Sequence, residues 1–253
     1  MRDYAVELKK RVEYVKNKLK ESGASGIVYG NSGGKDCALV GIICKKACEN
    51  TLAVIMPCNS KVNLTTDMQD AIALCNQFDI EYKTVDLTAT KAALVKELGK
   101  AIDINRSADI NINPRLRMTT LYAIGAAENR LVAGTGNKSE IYMGYFTKWG
   151  DGAYDFDPIA DLTVGEVYEF LAFLDAPASI RTKAPSAGLF EGQTDELEMG
   201  VTYKTIDDYI NGKNISAHDK EIIDGYHRKS EHKRVLSSVY KEITNGKRKD
   251  EQH

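Results

Sequence analysis

Several features that would place this 253-residue chain in a special class are missing from it. No run of about 18 apolar residues is present, so the sequence holds no candidate transmembrane helix and no membrane association is expected. Met1 to Tyr4 are not followed by the apolar segment of a signal peptide, so we expect a cytoplasmic protein. A basic excess is also lacking, because the net charge is −2, and this argues against a nucleic-acid partner.

Cysteines are few and follow no framework. Five are present, all in the first third of the chain, and none forms a C-x-x-C pair. An odd number without a framework predicts reduced thiols. Cys44 and Cys48 are four residues apart and could share a helix face, as metal ligands do. No histidine lies near them, however, which favours plain core positions.

The most informative stretch that is present runs from Gly30 to Cys37 and reads GNSGGKDC. It follows the apolar residues 26–29 and precedes a segment of helical character, which predicts a strand, a glycine turn and a helix. Adjacent glycines let the backbone approach a ligand closely, and the N–H groups at a helix start attract phosphate. The Gly-Lys-Ser/Thr ending of the Walker loop is absent. The alternative interpretation is a tight turn without a ligand.

Apolar runs that suit buried strands alternate with amphipathic segments that suit helices. Strands are predicted at 27–29, 51–56, 82–87 and 131–133, and helices at 2–22, 36–48, 65–78, 88–99, 113–129, 163–175, 201–210 and 216–234. The fifth helix is predicted to start at Asn113-Pro114, with asparagine as its N-cap. The alternation predicts an α/β fold with a doubly wound, mostly parallel sheet flanked by helices, in one domain over residues 1–253.

Two features of this fold bear on function. Ligands of such sheets bind at the carboxyl ends of the strands, so the Ser32 and Thr135 loops are expected to face one site. Residues 144–157 and 181–196 show no regular period, and the first stretch is rich in glycine, charge and aromatic rings. We expect that first stretch to close over a substrate, with an ordinary surface loop as the alternative.

Six short motifs stand in the order in which NAD synthetases carry them. They are NSGGKD at 31–36, RLRM at 115–118, GTGNKSE at 134–140, TKWGDG at 147–152, KAPSA at 183–187 and EHKR at 231–234. The match spans residues 26–234, so the chain resembles the short, ammonia-dependent form of that family. Its members are ATP pyrophosphatases with an adenine nucleotide alpha hydrolase-like, Rossmann-like fold.

The resemblance implies a ligase that forms a C–N bond. It would convert deamido-NAD, ATP and ammonia into NAD, AMP and pyrophosphate through an NAD-adenylate. It also implies Mg²⁺ as cofactor, ATP as co-substrate and a homodimer. The chain leaves no room for the glutaminase domain of the longer form, so a separate glutaminase could supply the ammonia.

The resemblance also implies roles for individual residues. The ATP phosphates would lie on Gly30, Asn31, Ser32, Gly33, Gly34, Lys35, Asp36 and Cys37, and further ATP contacts would come from Thr135, Lys183 and Ser186. Deamido-NAD would contact Arg115, Lys148, Asp155, His232 and Lys233. Asp36 and Glu140 would bind Mg²⁺, which prefers oxygen ligands. Asp151 would hold or deprotonate the incoming ammonia.

The chain departs from the family pattern at three places. Cys37 stands where serine is usual, and a thiol is the weaker donor. Asn113-Pro114 replaces a usual Lys-Ala, and Val164 replaces an ATP-binding lysine of some members, whose contact Lys183 could supply.

Other classes of function remain open alternatives. They are another ATP pyrophosphatase, such as a GMP synthetase or a tRNA-modifying enzyme, and a non-catalytic ATP sensor. The lack of basic charge disfavours a tRNA enzyme. The retained carboxylates Asp36 and Glu140 disfavour a sensor.

Overall fold

A computed structural model describes residues 2–58, 66–183, 195–235, 237 and 240. Within them, four strands form a parallel sheet in the order β3-β2-β1-β4. The strands are β1 (Gly26–Gly30), β2 (Thr51–Ile55), β3 (Glu81–Thr84) and β4 (Arg130–Val132). The chain moves outward from β1 to β3 and then returns to the other side of β1, so the strand order reverses between β1 and β4.

Helices cover both faces of the sheet, as the doubly wound prediction requires. Those of the described residues are α1 (Tyr4–Ser22), α2 (Lys35–Ala47), α3 (Met68–Gln77), α4 (Thr88–Leu98), α5 (Arg106–Glu128), α6 (Lys138–Met143), α7 (Val164–Phe173), α8 (Ala178–Thr182), α9 (Asp195–Met199), α10 (Tyr203–Ile210), α11 (Ala217–Lys229) and α12 (Glu231–Arg234). None of these combines the length and apolarity needed to cross a membrane.

Strand alternation divides the core into two layers. Ile27 and Tyr29 of β1 belong to a cluster with α2 and α7, whereas Val28 packs with Leu52 and with residues of α5 such as Leu121. Successive side chains of a strand point to opposite faces, so a fully buried β1 needs helices on both sides. This arrangement confirms the predicted α/β class.

The predicted start of the fifth helix at Asn113-Pro114 is wrong. Helix α5 starts at Arg106, and the Asn105 side chain caps it by accepting from the Ala108 N–H at 2.9 Å. Pro114 lies inside the helix. Because proline has no N–H, one helical hydrogen bond is lost there, but packing of the long helix against β1 and β4 outweighs that local cost.

The helix predicted over 216–234 is two helices, α11 and α12, separated at Ser230. The Ser230 Oγ donates to the Tyr226 carbonyl at 2.7 Å, a local bond that competes with helix continuation. Gly144 comes so close that a Cβ on it would lie 2.0 Å from the Ser230 Cβ. The local bond of Ser230 and the close approach of Gly144 meet at this break, and the second of these is a tertiary contact that a local pattern does not show.

Candidate active site

The loop between β1 and α2 lies against α3 and the residue before it. The Asn31 side chain accepts from the Gly33 N–H at 3.1 Å and donates to the Ala71 carbonyl at 3.2 Å. Gly33 has φ +75°, and a Cβ there would lie 2.1 Å from the Asp67 carbonyl oxygen. Gly34 caps α2 without a side-chain bond, which leaves the first N–H groups of that helix for a ligand.

Cys37 pairs with the hydroxyl of its own loop. Its Sγ lies 3.0 Å from the Ser32 Oγ, and that hydroxyl also accepts from the Gly34 N–H at 3.3 Å. Burial raises the pKa of the Cys37 thiol, so the thiol is neutral at physiological pH. The serine-to-cysteine departure thus keeps a hydrogen-bonding group in place but provides a weaker donor.

The loop between β4 and α6 meets the first loop through Asn137. The Asn137 Oδ1 accepts from the Glu140 N–H at 3.0 Å in a capping box that starts α6. Its Nδ2 donates to Asp36 Oδ1 at 3.0 Å. One asparagine therefore joins the ends of β1 and β4, and the two predicted loops face one site.

Asp157 holds the loop between β4 and α6 through its carboxylate. Its Oδ2 accepts from the Gly136 N–H and its Oδ1 from the Ile159 N–H, each at 2.9 Å. Burial nevertheless raises the pKa of Asp157 to about 7, because two N–H bonds do not offset the loss of solvent.

Three charged side chains lie at the junction of the loops. The Lys35 Nζ is 2.7 Å from Asp36 Oδ2 and 3.5 Å from Glu140 Oε1. Burial and the charge of Asp36 raise the pKa of Glu140 above its usual range, against the opposing effect of Lys35. Burial disfavours the charged form of Lys35, but Asp36 and Glu140 outweigh it and raise its pKa.

The donor set at this junction is compatible with Mg²⁺. Among the described residues, no group of three or more His, Cys, Asp or Glu side chains is gathered as a metal site. Mg²⁺ is usually held by one or two carboxylates together with substrate phosphates and waters. Asp36 and Glu140, beside free helix N–H groups, provide the protein part of such a set.

The remaining predicted ATP contacts divide into three cases. Thr135 lies half-buried in the second loop. The Lys183 Nζ pairs with Asp67 at 2.5 Å and Asp70 at 2.9 Å, beside the glycine loop. Ser186 lies outside the described residues. Val164 is buried at the start of α7, so a polar replacement for the usual lysine must come from elsewhere.

Four residues expected to contact deamido-NAD lie close together. The Arg115 Nη2 donates to the Lys148 carbonyl at 3.4 Å, and the Lys148 Nζ donates to the His232 carbonyl. The Lys233 Nζ donates to the Gly144 and Phe146 carbonyls, both at 2.8 Å. Segment 144–157 thereby joins α5 to α12 and gathers cations for an anionic ligand.

Asp151 belongs to the same region. Its carboxylate accepts from the Thr147 N–H at 2.9 Å. The residue is exposed, yet desolvation by the surrounding protein raises the pKa of the Asp151 carboxyl. The positive charges of Lys233 and Arg117 act in the opposite direction and lower it.

Asp155 differs from the other predicted residues because both of its oxygens have partners in the fold. Oδ1 accepts from the Tyr122 hydroxyl at 3.2 Å, and Oδ2 accepts from the Val132 N–H at 2.8 Å. Asp155 therefore ties β4 to α5, and its remaining lone pairs are what a ligand could use.

Two residues of the site went unassigned in the sequence. The Arg117 Nε donates to the Met56 carbonyl at the end of β2, 3.2 Å away, and its charge lies near Asp151. The Tyr203 ring lies 5.7 Å from the Lys35 Nζ, and its hydroxyl donates to Asp195 at 3.1 Å. Arg117 could have been found from its place two residues after Arg115, whereas Tyr203 carries no local signal.

Fold and site together define a class of protein. The sheet is parallel and carries a glycine loop, free helix N–H groups and converging carboxylates at its carboxyl edge. This arrangement is typical of the adenine nucleotide alpha hydrolase-like proteins. The family model for NAD synthase matches residues 7–249. The chain belongs to the NAD synthase family.

Individual relatives agree with this assignment. The NH3-dependent NAD(+) synthetase of Carboxydothermus hydrogenoformans is 47% identical over 233 residues, which cover 91% of this chain and 95% of the relative. The solved NMN synthetase of Francisella tularensis superposes with a TM-score of 0.89 at 39% identity and covers 95% and 99% of the two chains. The NH3-dependent NAD synthetase of Campylobacter jejuni gives 0.79 at 28% identity, covering 95% and 100%.

Proposed function

We propose that this protein is an ammonia-dependent NAD synthetase, which adenylates the carboxylate of deamido-NAD with ATP and lets ammonia displace AMP. One observation carries the proposal: the Asn137–Asp36 bond brings the ends of β1 and β4 together beside the free N–H groups of α2. A carboxylate is a poor electrophile, so it must be activated, and the departing pyrophosphate needs donors and cations.

The ATP half of the site stabilises the leaving group. The free N–H groups in the first turn of α2 would hold the phosphates that depart as pyrophosphate. Asp36 and Glu140 would hold Mg²⁺, which when bound neutralises the charge that develops on those phosphates. Lys183, already beside the loop, supplies a further cation once phosphate competes with its present carboxylate partners.

The other half of the site binds and orients the second substrate. Arg115, Lys148 and Lys233 match the diphosphate and carboxylate of deamido-NAD, and His232 and Asp155 contribute from α12 and the edge of β4. Ammonium must lose its proton before it attacks the adenylate. The raised pKa of Asp151 brings this carboxylate closer to the range of a useful base.

The proposal includes the setting of the enzyme. Residues 1–253 would act as a single domain, and free ammonia or a separate glutaminase would supply the nitrogen. A homodimer would cover Leu94 and Ile102, which are 38% and 56% exposed next to α5. All five cysteines are free, which supports a reducing, cytoplasmic setting.

A second candidate is the amidation of the corresponding mononucleotide, nicotinate mononucleotide. The observation that favours it is the high structural similarity to the Francisella tularensis NMN synthetase. Both candidates use the same ATP chemistry and the same carboxylate activation. They differ in whether the adenylyl half of deamido-NAD is needed.

One experiment tests both candidates. The protein is mixed with ATP, Mg²⁺, ammonium and either deamido-NAD or nicotinate mononucleotide, with NAD followed by a dehydrogenase and NMN by chromatography. We expect NAD from deamido-NAD and far less product when glutamine replaces ammonium. Product from the mononucleotide alone would select the second candidate, and no amide from either substrate above a no-enzyme control would refute both.

A further inference from the structure

Lys35 occupies a position that is unfavourable for a lysine. It is the first residue of α2, where the positive end of the helix dipole repels a cation, and the residue is only 7% exposed. A buried ammonium is costly unless it is paired with opposite charge. Its placement therefore depends on the groups around it.

The compensation comes from the two carboxylates proposed to bind Mg²⁺. Asp36 lies 2.7 Å and Glu140 lies 3.5 Å from the Lys35 Nζ, and the Tyr203 ring lies 5.7 Å from it. Glu140 is on α6 and Asp36 on α2, so one ammonium bridges the two elements. A divalent ion that bound both carboxylates would compete with this ammonium for the same oxygens.

We propose that Lys35 is a positioning residue whose ammonium stands in for the metal: it holds Asp36 and Glu140 together in the ligand-free protein, and Mg²⁺ displaces it. The inference rests on the proposed function only in taking those two carboxylates as the metal ligands. Displacement leaves the ammonium without a partner, and the phosphates of ATP beside the loop can accept it. Metal loading is thereby coupled to ATP binding.

A static role for Lys35 predicts different behaviour. If the lysine only ties α2 to α6, its removal weakens the fold and Mg²⁺ does not restore it. If the ammonium stands in for the metal, its removal leaves two buried carboxylates uncompensated. Mg²⁺ then binds more tightly and recovers the lost stability.

The test is calorimetric titration of Mg²⁺ into the full chain without ATP, together with thermal unfolding in EDTA and in Mg²⁺. Lys35→Gln should lower the Kd for Mg²⁺ by about tenfold, equivalent to ~1.4 kcal/mol. It should also lower the Tm in EDTA and recover it in Mg²⁺. Lys45→Gln is the matched control, because Lys45 is on the same helix and pairs with Glu49 and Asp79 away from the site. It should leave the Kd unchanged.

The proposal is overturned if Lys35→Gln lowers the Kd for Mg²⁺ by less than about threefold, since about tenfold is expected. If that variant does not fold, Lys35→Arg decides. A guanidinium holds two carboxylates more firmly than an ammonium, so this variant must bind Mg²⁺ no more tightly than the wild type. Tighter binding by Lys35→Arg would contradict the inference. Neither measurement requires NAD synthesis, so failure of the proposed function shows separately.

Discussion

The two adjacent glycines of the loop between β1 and α2 should respond differently to the same substitution. Gly33 has φ +75°, and a Cβ on it would lie 2.1 Å from the Asp67 carbonyl oxygen. Gly34 has φ −88° and ψ 167°, and the nearest atom to its Cβ would be the Ser32 Oγ at 3.2 Å. Gly33→Ala must therefore move backbone, whereas Gly34→Ala needs only a small shift of the Ser32 hydroxyl.

The expected size of the effect follows from these two features of Gly33. A left-handed conformation costs a non-glycine residue about 1–2 kcal/mol, and overpacking against fixed backbone costs about 1–3 kcal/mol more. A loss near 3 kcal/mol in the free energy of unfolding lowers the Tm of a chain of this length by roughly 6–12 °C. Gly34→Ala should stay within about 0.5 kcal/mol of the wild type.

The assay is thermal unfolding of both variants, followed by ATP kinetics for Gly33→Ala. A loop displaced by about 1 Å should lower kcat/KM for ATP on the order of 10²-fold. If Gly33→Ala keeps wild-type Tm and kcat/KM, the contact between the loop and α3 does not position the phosphates. Equal destabilisation by the two variants would show that conformation at Gly33 is not the cause.

Further predictions concern the charged and thiol groups of the site. Asp36→Asn and Glu140→Gln should each lower kcat about 10²-fold or more by removing a proposed metal ligand, and near wild-type rates in both would show that the metal site is misplaced. The folded protein holds a proton on Asp157 up to about pH 7, whereas the unfolded chain releases it near pH 4, so stability falls as pH rises between these values. The Tm of Asp157→Asn relative to wild type should therefore rise from about pH 5 to about pH 8, and a pH-independent difference would contradict the raised pKa. Cys37→Ser replaces a weak donor by a stronger one, so steady-state kinetics should show a lower KM for ATP, and an unchanged value would mean that this group does not reach phosphate.

The sequence was sufficient where local signals and long-range packing agree. The helices predicted at 2–22 and 163–175 both carry such local signals: Gly23 ends α1 in the left-handed conformation, and a capping box of Thr163 and Glu166 starts α7. The position of the glycine loop could be predicted because apolar periodicity marks the strand before it and the helix after it. Its partner loop at Thr135 follows from the rule for carboxyl ends of parallel strands.

The remaining features depend on contacts between distant segments. Asn105, Asn111 and Asn113 are all candidate caps in the sequence, and only packing of the long helix shows that Asn105 is the cap and Pro114 is interior. The bonds of Asp155 to β4 and α5 have no local signature. Nor has the approach of Tyr203 to Lys35, because the two residues are far apart in the sequence and only the fold brings them together.

The products formed from ATP give the most direct test of the proposed adenylation and amidation. The purified protein is incubated with deamido-NAD, ATP, Mg²⁺ and ammonium, and NAD, AMP and pyrophosphate are quantified in the same sample. Cleavage between the α and β phosphates predicts equal amounts of the three. Formation of ADP and phosphate, or release of AMP without NAD, would contradict the proposed adenylation and transfer to ammonia.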